Sequence, residues 1–459
     1  VTAARRPSGR VHFVGVGGAG MSAVAYLMAK RGITVSGSDG AEGPYLHALK
    51  EAGLDVKVGH DPILVEGAAE VVISSAIRES NAELAAARAA GIPVIHRSEA
   101  LVRVIKGQRI VAIAGAHGKT TTAAMTVCAL HGAGIDASFA IGASVYGVEG
   151  AVGGAYEGKA DVVVIEADES DGSFSVYDPE VAVITNVEAD HLDHYGTVEA
   201  LENAFADFAG RARLLIACAD DEGAERVSAR ARGAGIEVVT YGARIGAEIG
   251  VTEGGLERNH GSIPMLLKQP GWHNRLNAAA AVTAAMAMGA DADQAARGLA
   301  SYGGTGRRFE HRGTADGVEV YDDYAHHPTE IVALLAAARE ITSGRIVLLF
   351  QPHLYSRTRL LAEQFAGALT VRGADVIVTG IYGAREEPEP GVSGDTIGRL
   401  VMPPTGGTFR VIEDLKEAAG EAVRLALTGS LVLTVGAGSV TDAADWILAL
   451  LREREATRG

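Results

Sequence analysis

The sequence predicts a three-domain α/β protein, and three observations carry that prediction. The chain has 459 residues, 47% of them apolar, which at about 100 to 200 residues per domain is material for two to four cores. Two glycine-rich turns, Gly15 to Gly20 and Gly115 to Thr122, each stand between an apolar strand and a helical stretch. Beyond Gly303 the chain again alternates short apolar strands with Ala-rich amphipathic segments.

The elements follow in order. Val11 to Val16 reads as a strand, Met21 to Lys30 as a helix and Ile33 to Ser36 as a second strand closing at Asp39, which is βαβ grammar. Strands at Asp55 to Val58, Val71 to Ser74 and Pro93 to Ile95 complete a first domain, 1–103. Arg109 to Ala114 restarts the pattern, and Val162 to Glu166, Val181 to Asn186 and Leu214 to Cys218 supply a second parallel sheet in 104–310. The polar, Gly-rich stretch Gly242 to Ser262 reads as antiparallel hairpins appended to that sheet. Gly303 to Gly306 reads as the linker, and Gly317 to Tyr321, Arg345 to Phe350, Asp375 to Thr379 and Ser430 to Val435 give a third doubly wound sheet in 311–459.

Composition excludes several classes. Lys plus Arg 41 against Asp plus Glu 57 leaves a net charge of −16, which argues against a non-specific nucleic-acid binder. The two cysteines, Cys128 and Cys218, lie far apart without CxxC spacing, so neither a disulfide framework nor a thiolate metal site is expected. Val1 to Arg10 is polar and basic with no apolar run behind it, and Ala278 to Ala290 is too short to span a bilayer, so a cytoplasmic protein is expected.

The first turn has the form GxGxxG with Asp39 about twenty residues on, the context in which backbone amides and a helix N-terminus hold a diphosphate. Alone, it suggests an NAD-dependent oxidoreductase. The second turn, Gly115-Ala116-His117-Gly118-Lys119-Thr120-Thr121-Thr122, is a shortened phosphate-binding loop, with Lys119 for the β and γ oxygens and the Thr120 hydroxyl for Mg²⁺. A dehydrogenase leaves this second loop unexplained, whereas a nucleotide-driven binding protein or motor uses it and leaves later loops idle. Glu166, at the end of an apolar strand, is placed for a Mg²⁺ ligand, and the acid run from Glu188 to His194 lies after the next strand. His191 and His194 could be taken for a zinc pair, but no further thiolate or histidine lies near them, which favours oxygen-rich Mg²⁺ chemistry with one imidazole.

Seven segments in order, AGAHGKTTT, EADESDGSF, ITNVEADHLDHYG, HNRLNAAAA, GTGRRFE, DDYAHHPTE and FQPHLYSRT, resemble the Mur ligases of peptidoglycan synthesis over nearly the whole chain. GVGGAGMSAVA, SGSD and HHPTE resemble the alanine-adding branch of that family, with the branch that attaches a recycled tripeptide to the same UDP sugar as nearest rival. The resemblance implies a Rossmann-like N-terminal domain for the UDP substrate, a P-loop ATPase-type central domain and a Rossmann-like C-terminal domain for the amino acid. It implies ATP and Mg²⁺ as cofactors, and UDP-N-acetylmuramate and L-alanine as partners. By position, Gly17, Gly18, Ala19 and Gly20 match the diphosphate turn, and Asp39, His60, Ser74, Ala76 and Ile77 match the ribose and uracil surroundings. Gly115, His117, Gly118, Lys119, Thr120 and Thr121 match the ATP loop. Thr120 and Glu166 match ligands of one metal, with His191 and Glu166 near a second. His273, Asn274 and Asn277 match the adenine side, and Arg308 and Asp323 match contacts to ATP. His327, Arg357 and the loop Tyr324 to Pro328 match the amino-acid and acyl-phosphate side, and the base is expected to be His191 or His327.

Three departures from the family pattern stand out. Ala116 replaces a hydroxyl residue, at little expected cost where backbone amides cradle the phosphate. Leu354 stands where an Arg is common, which leaves Arg357 to serve alone. No lysine lies between Lys159 and Lys268, so the carbamylated lysine of sister ligases has no candidate, which puts more weight on Glu166 and His191.

Overall fold

The computed structural model describes residues 9–258, 261–384, 386–402 and 405–458; most of the basic N-terminal stretch lies outside them. The chain divides into two compact units. One runs to Lys268 and resumes over Asn274–Thr305; the other comprises Gln269–His273 and the chain from Gly306 onward. Between them they carry three separate sheets.

The first unit holds two. Strands β1 (Val11–Val14), β2 (Val35–Asp39), β3 (Asp55–Val58), β4 (Glu70–Ile73) and β5 (Val94–His96) form an all-parallel sheet of order β3-β2-β1-β4-β5. Helices α1 (Ala19–Lys30), α2 (Pro44–Glu51) and α3 (Ala82–Ala89) lie between its strands, and α4 (Arg97–Val104) leads out of it. Proline at the first turn starts α2, and the Asn81 side chain caps α3 by accepting from Glu83 and Leu84 amides. The strand order reverses between β1 and β4, which opens a crevice at the turn after β1.

The second sheet has ten strands: β6 (Arg109–Ala114), β7 (Ser138–Ala140), β8 (Ala155–Tyr156), β9 (Val162–Glu166), β10 (Val181–Ile184), β11 (Leu214–Cys218), β12 (Glu237–Gly242), β13 (Ile249–Val251), β14 (Gly255–Arg258) and β15 (Gly261–Pro264). From β13 to β7 the neighbours run parallel, and β14, β15 and β8 are antiparallel additions. Val162–Ile165 and Val181–Ile184 are buried throughout because both faces of the sheet are covered, which is why they read as unbroken apolar runs. Strand β6 sits between β10 and β9, with Ala114 opposite Ile184 and Ile113 opposite Glu166, so the three strands end at one level. Helix α5 (Lys119–Gly132) starts there. The two sheets share one hydrophobic cluster that includes Phe13, Leu27, Phe174 and Phe205, and Arg31 of α1 reaches Glu157 at 2.9 and 3.0 Å.

In the second unit, β16 (Glu310–Ala315), β17 (Val318–Asp323), β18 (Ile346–Phe350), β19 (Ala374–Val378), β20 (Phe409–Val411) and β21 (Leu431–Val435) form a sheet of order β16-β17-β21-β18-β19-β20. All neighbours are parallel except β16 with β17. Together the sheets make a three-domain α/β fold. Five strands that the sequence did not announce are β7, β8, β16 and β20, which are short or lie at a sheet edge, and β12, which pairs parallel with β11 inside the second sheet. Glu310–Ala315 alternates no apolar residues and bulges between His311 and Gly313; its partner, not its pattern, makes it a strand. The Ala-rich helix begins earlier than expected, at Trp272, and ends at Ala287. Among the described residues no helix is long and apolar enough to cross a membrane.

Candidate active site

The predicted site residues of the first unit gather at the C-terminal ends of its two sheets. At the first, the Gly17 amide donates to Asp39 Oδ2 at 2.9 Å, which ties the glycine turn to the end of β2. His60 follows β3, and Ser74 follows β4, where its carbonyl accepts from the Ile77 amide at 3.1 Å and leaves Ala76 inside the turn. Helix α1 starts at Ala19 with no acidic residue in its first turn. A side chain at Gly20 would meet Arg97 Nη1 at 2.7 Å, so glycine there admits a guanidinium against the helix N-terminus.

The second turn is strapped down from β10. Thr185 Oγ1 donates to the His117 carbonyl at 2.6 Å, Asn186 Nδ2 donates to the same oxygen at 3.0 Å, and the His117 amide donates to Asn186 Oδ1 at 2.8 Å. Gly118 has φ +82°, and a Cβ there would stand 2.6 Å from Asn277 Oδ1, so only glycine serves. Asn277 Oδ1 accepts from Thr122 Oγ1 at 3.1 Å, and its amide faces Asn274 Oδ1 at 3.4 Å. Ala116 takes part through its backbone: its amide donates to the Asn186 carbonyl, and its carbonyl accepts from Lys119.

Lys119 donates to the Gly115 carbonyl at 2.5 Å and to Glu169 Oε1 at 2.7 Å. Burial opposes its charge, but the carboxylates of Glu169, Asp168 and Glu166 outweigh burial and raise its pKa. Thr120 Oγ1 donates to Glu166 Oε1 at 2.9 Å, and Glu166 Oε2 accepts from the Gly142 amide at 2.8 Å. Glu169 is fully buried. Burial, with Asp168 adding, pushes its carboxyl up to about 7 against the pull of Lys119, and its Oε2 has no hydrogen-bond partner among the described residues. Asp168 behaves oppositely: although burial works against its charge, Arg97 and Lys119 hold it down to about 2.

His191, read from the sequence as lying near a second metal with Glu166, stands beside two other carboxylates. Its Nε2 lies 3.9 Å from Glu169 Oε1 and 3.7 Å from Asp190 Oδ2. His191 adopts φ +55° where the loop turns into Leu192–Tyr195, and Tyr195 anchors that turn by donating to the Glu169 carbonyl at 2.6 Å. Glu169 and Arg97 were both missed from sequence. Glu169 lay inside the EADES acid run, whose order does not reveal which carboxylate the lysine meets. Arg97 lay in no motif at all, and its Nη2 donates to Asp168 Oδ2 at 2.7 Å while Nη1 faces Gly20. One guanidinium therefore touches both glycine turns' surroundings.

The second unit carries the remaining predicted residues. Asp323 ends β17 and accepts from the Phe309 amide at 2.7 Å and the Ala325 amide at 2.8 Å; burial pushes its carboxyl up to about 6 although Arg308 opposes. The Arg308 guanidinium lies 5.0 Å from the Tyr324 ring centroid and 3.8 Å from Glu330. His327 caps Pro328–Ile341, with Glu330 accepting from the amides of His326 and His327 at 2.8 and 3.1 Å. His326, inside the loop Tyr324 to Pro328 that the resemblance places on the amino-acid side, is pushed down to about 3 by burial, with Arg357 and His353 adding, so it is neutral at pH 7. Arg357 is buried and donates to His353 Nδ1 at 3.1 Å, while Leu354 takes φ +68° at the head of Tyr355–Leu360. Burial lowers the His273 pKa against Glu340 and Glu330.

The fold and the two turns define the class. Three family models match in succession: the Mur ligase family catalytic domain over residues 10–109, the Mur ligase middle domain over 113–285 and the Mur ligase glutamate ligase domain over 307–438. The chain belongs to the Mur ligase family. It is 48% identical to the UDP-N-acetylmuramate–L-alanine ligase of Kineococcus radiotolerans, over 97% of each chain, and 46% identical to that of Renibacterium salmoninarum, over 96% of this chain and 95% of the relative. Among solved structures it is similar to the UDP-N-acetylmuramate–alanine ligase of Thermotoga maritima, with TM-score 0.80 and 28% identity, covering 98% of this chain and all of that one. A murein peptide ligase from Psychrobacter arcticus shares the fold at TM-score 0.73 and 23% identity, covering 97% and 99%.

Proposed function

We propose that this protein joins L-alanine to the carboxylate of UDP-N-acetylmuramate, with ATP cleaved to ADP and phosphate, through an acyl phosphate. The observation that carries this reading over a dehydrogenase or a motor is the near full-length match to ligases of that name. The class is that of the ATP-dependent, ADP-forming amide ligases, and its substrates, a UDP sugar and ATP, belong to the cytoplasm.

The chemistry faces a charge problem first. A carboxylate must approach the γ-phosphate of ATP, and each unit charge at contact distance contributes about 4 kcal/mol at an effective dielectric near 20. Lys119 is the cation built for this: a γ-phosphate arriving at the loop competes with Glu169 for the ammonium. Residues present also fit Mg²⁺. Thr120, Glu166 and the unpartnered, buried Oε2 of Glu169 form an oxygen-only donor set with His191 beside it. There the ion would neutralise phosphate charge and orient the γ-phosphoryl group.

The muramate carboxylate attacks the γ-phosphorus in line, which gives an acyl phosphate and ADP. The amine of L-alanine then attacks the acyl carbon, and phosphate leaves as the amide forms. Alignment of amine and acyl phosphate is worth roughly 7 to 11 kcal/mol, the work assigned to His327, Arg357 and the neutral His326 of the second unit. His191 or His327 takes the ammonium proton; His326, with a pKa near 3, is too weak a base. Asn274 and Asn277, which set Gly118, and Arg308 and Asp323 take the nucleotide side of ATP. The test is phosphate release with UDP-N-acetylmuramate, ATP and Mg²⁺. L-alanine is expected to stimulate it and L-Ala-γ-D-Glu-diaminopimelate is not; stimulation by the tripeptide alone would transfer the protein to the recycling branch.

A further inference from the structure

Beneath the first glycine turn lies a chain of polar side chains that the proposed chemistry leaves unused. His12 on β1, Ser36 and Ser38 on β2 and Glu83 on α3 are all buried, Glu83 fully. Glu83 Oε2 accepts from the Ser38 hydroxyl at 2.6 Å and lies 3.1 Å from His12 Nε2. Its Oε1 accepts from the Asp61 amide at 3.0 Å and lies 3.5 Å from His60 Nδ1. His60 Nδ1 is also 3.0 Å from Ser38 Oγ, and His12 Nδ1 is 2.8 Å from Ser36 Oγ, which accepts from Arg10.

Proton counting fixes the direction of the bonds at Glu83 and Ser38. A carboxylate only accepts, and a hydroxyl has one hydrogen. Burial opposes the charge of Glu83, yet bonds from His12, Ser38 and the Asp61 amide hold its carboxyl below the usual value, so it is a carboxylate. Ser38 gives its single hydrogen to Glu83 and can only accept from His60. Ser38 Oγ, the hydrogen-bond neighbour of His60 Nδ1, therefore requires a hydrogen on that nitrogen. The same logic puts a hydrogen on His12 Nε2, so the bonds from His12, Ser38 and the Asp61 amide all point toward Glu83. The other nitrogen of His60, Nε2, lies toward Gly40, where a Cβ would stand 3.7 Å from it, at the rim formed by Asp39 and the glycine turn.

We infer that Glu83, acting through Ser38, locks His60 in the Nδ1–H tautomer, so that Nε2 presents a lone pair at the cleft and reads a hydrogen-bond donor on the nucleoside of the UDP substrate. The occupant rests on the function proposed above; the tautomer rests on the bonds alone. The donors a uridine offers are the uracil N3–H and the ribose hydroxyls. Glu83 is thus a positioning residue. In Glu83→Gln the Asp61 amide demands the amide oxygen, which turns the NH₂ toward Ser38 and His12. Ser38 must then accept from it and donate to His60 Nδ1, and the hydrogen on His60 moves to Nε2.

The experiment is calorimetric binding of UDP, N3-methyl-UDP, 2′-deoxy-UDP and 3′-deoxy-UDP to the full chain. The wild type is expected to bind one of the three analogues about tenfold more weakly than UDP, which identifies the donor read. Glu83→Gln is expected to bind UDP about tenfold more weakly and to treat that analogue and UDP alike, with ATP affinity unchanged. His60→Ala/Glu83→Gln should bind no more weakly than His60→Ala, since Glu83 acts through His60. If Glu83→Gln does not fold, Ser38→Ala, which removes the acceptor on Nδ1 but leaves the carboxylate, is expected to lose the same discrimination. Equal affinity of the wild type for all four compounds, retained discrimination in the variants, or additive losses in the double variant would each overturn the inference. Absence of any UDP binding by the wild type would instead remove the proposed substrate, and this inference with it.

Discussion

The two glycine turns of the first unit are built from the same backbone device and differ in charge. At Gly15 to Gly20 a helix begins without an acidic residue, and the charged neighbours are Asp39, bonded to the Gly17 amide, and Arg97 at Gly20. At Gly115 to Thr122 a lysine is surrounded by Glu166, Asp168 and Glu169. The first can receive an anion on amides and one guanidinium. The second has more carboxylates than cations and is complete only when a further positive charge arrives with the phosphate, which fits a stably held carrier at one turn and a turned-over triphosphate at the other. Arg97, shared between Gly20 and Asp168, is where the two designs meet.

The largest test of this contrast is Lys119→Ala. Phosphate release is expected to fall by about 10³-fold or more while UDP-N-acetylmuramate affinity stays within about twofold, because Lys119 serves the second turn and Arg97 is the cation of the first. Equal losses at both turns would erase the distinction. Next, Glu166→Ala should raise the Mg²⁺ concentration needed for half-maximal activity by at least about tenfold, and a Mg²⁺ titration superimposable on the wild type would remove Glu166 from the donor set.

Arg97→Met sharpens the shared point. UDP affinity should drop by about tenfold, and acid stability should fall too. Asp168 is depressed to about 2 from 3.8, so its contribution is fully present above pH 3.8 and is lost as pH drops toward 2. Without Arg97 that contribution shrinks, and the acid unfolding midpoint, followed by circular dichroism, should move to higher pH. The smallest effect is expected from Glu169→Gln. With its carboxyl raised to about 7 from 4.5, folded protein binds an extra proton between those values, and stability falls as pH rises through the window. The amide cannot titrate, so the melting temperature of the variant should vary less between pH 4.5 and 7 than that of the wild type.

Much of this was readable in advance, for reasons that differ by element. The strands Val162–Glu166 and Leu214–Cys218 were read residue for residue because burial on both faces demands continuous apolar runs. Lys119 and Thr120 were fixed by their place after β6, since a loop at that position has few other uses. Glu310–Ala315 was not, because an edge strand with one neighbour needs no apolar period. Glu169 was hidden among four carboxylates from Glu166 to Asp171, and Arg97 stood outside every motif because its partners are 71 and 77 residues away in sequence, Asp168 and Gly20 respectively.

By itself, the order of residues determined the three α/β domains and both glycine turns. These follow from local rules: the period of apolar residues, the conformations open to glycine and the amides left bare at a helix start. Which carboxylate meets Lys119, which arginine links the turns and which nitrogen of His60 carries its hydrogen were decided by the folded chain. Each depends on a distance or a shared proton between residues remote in sequence, and such quantities exist only once the sheets have packed.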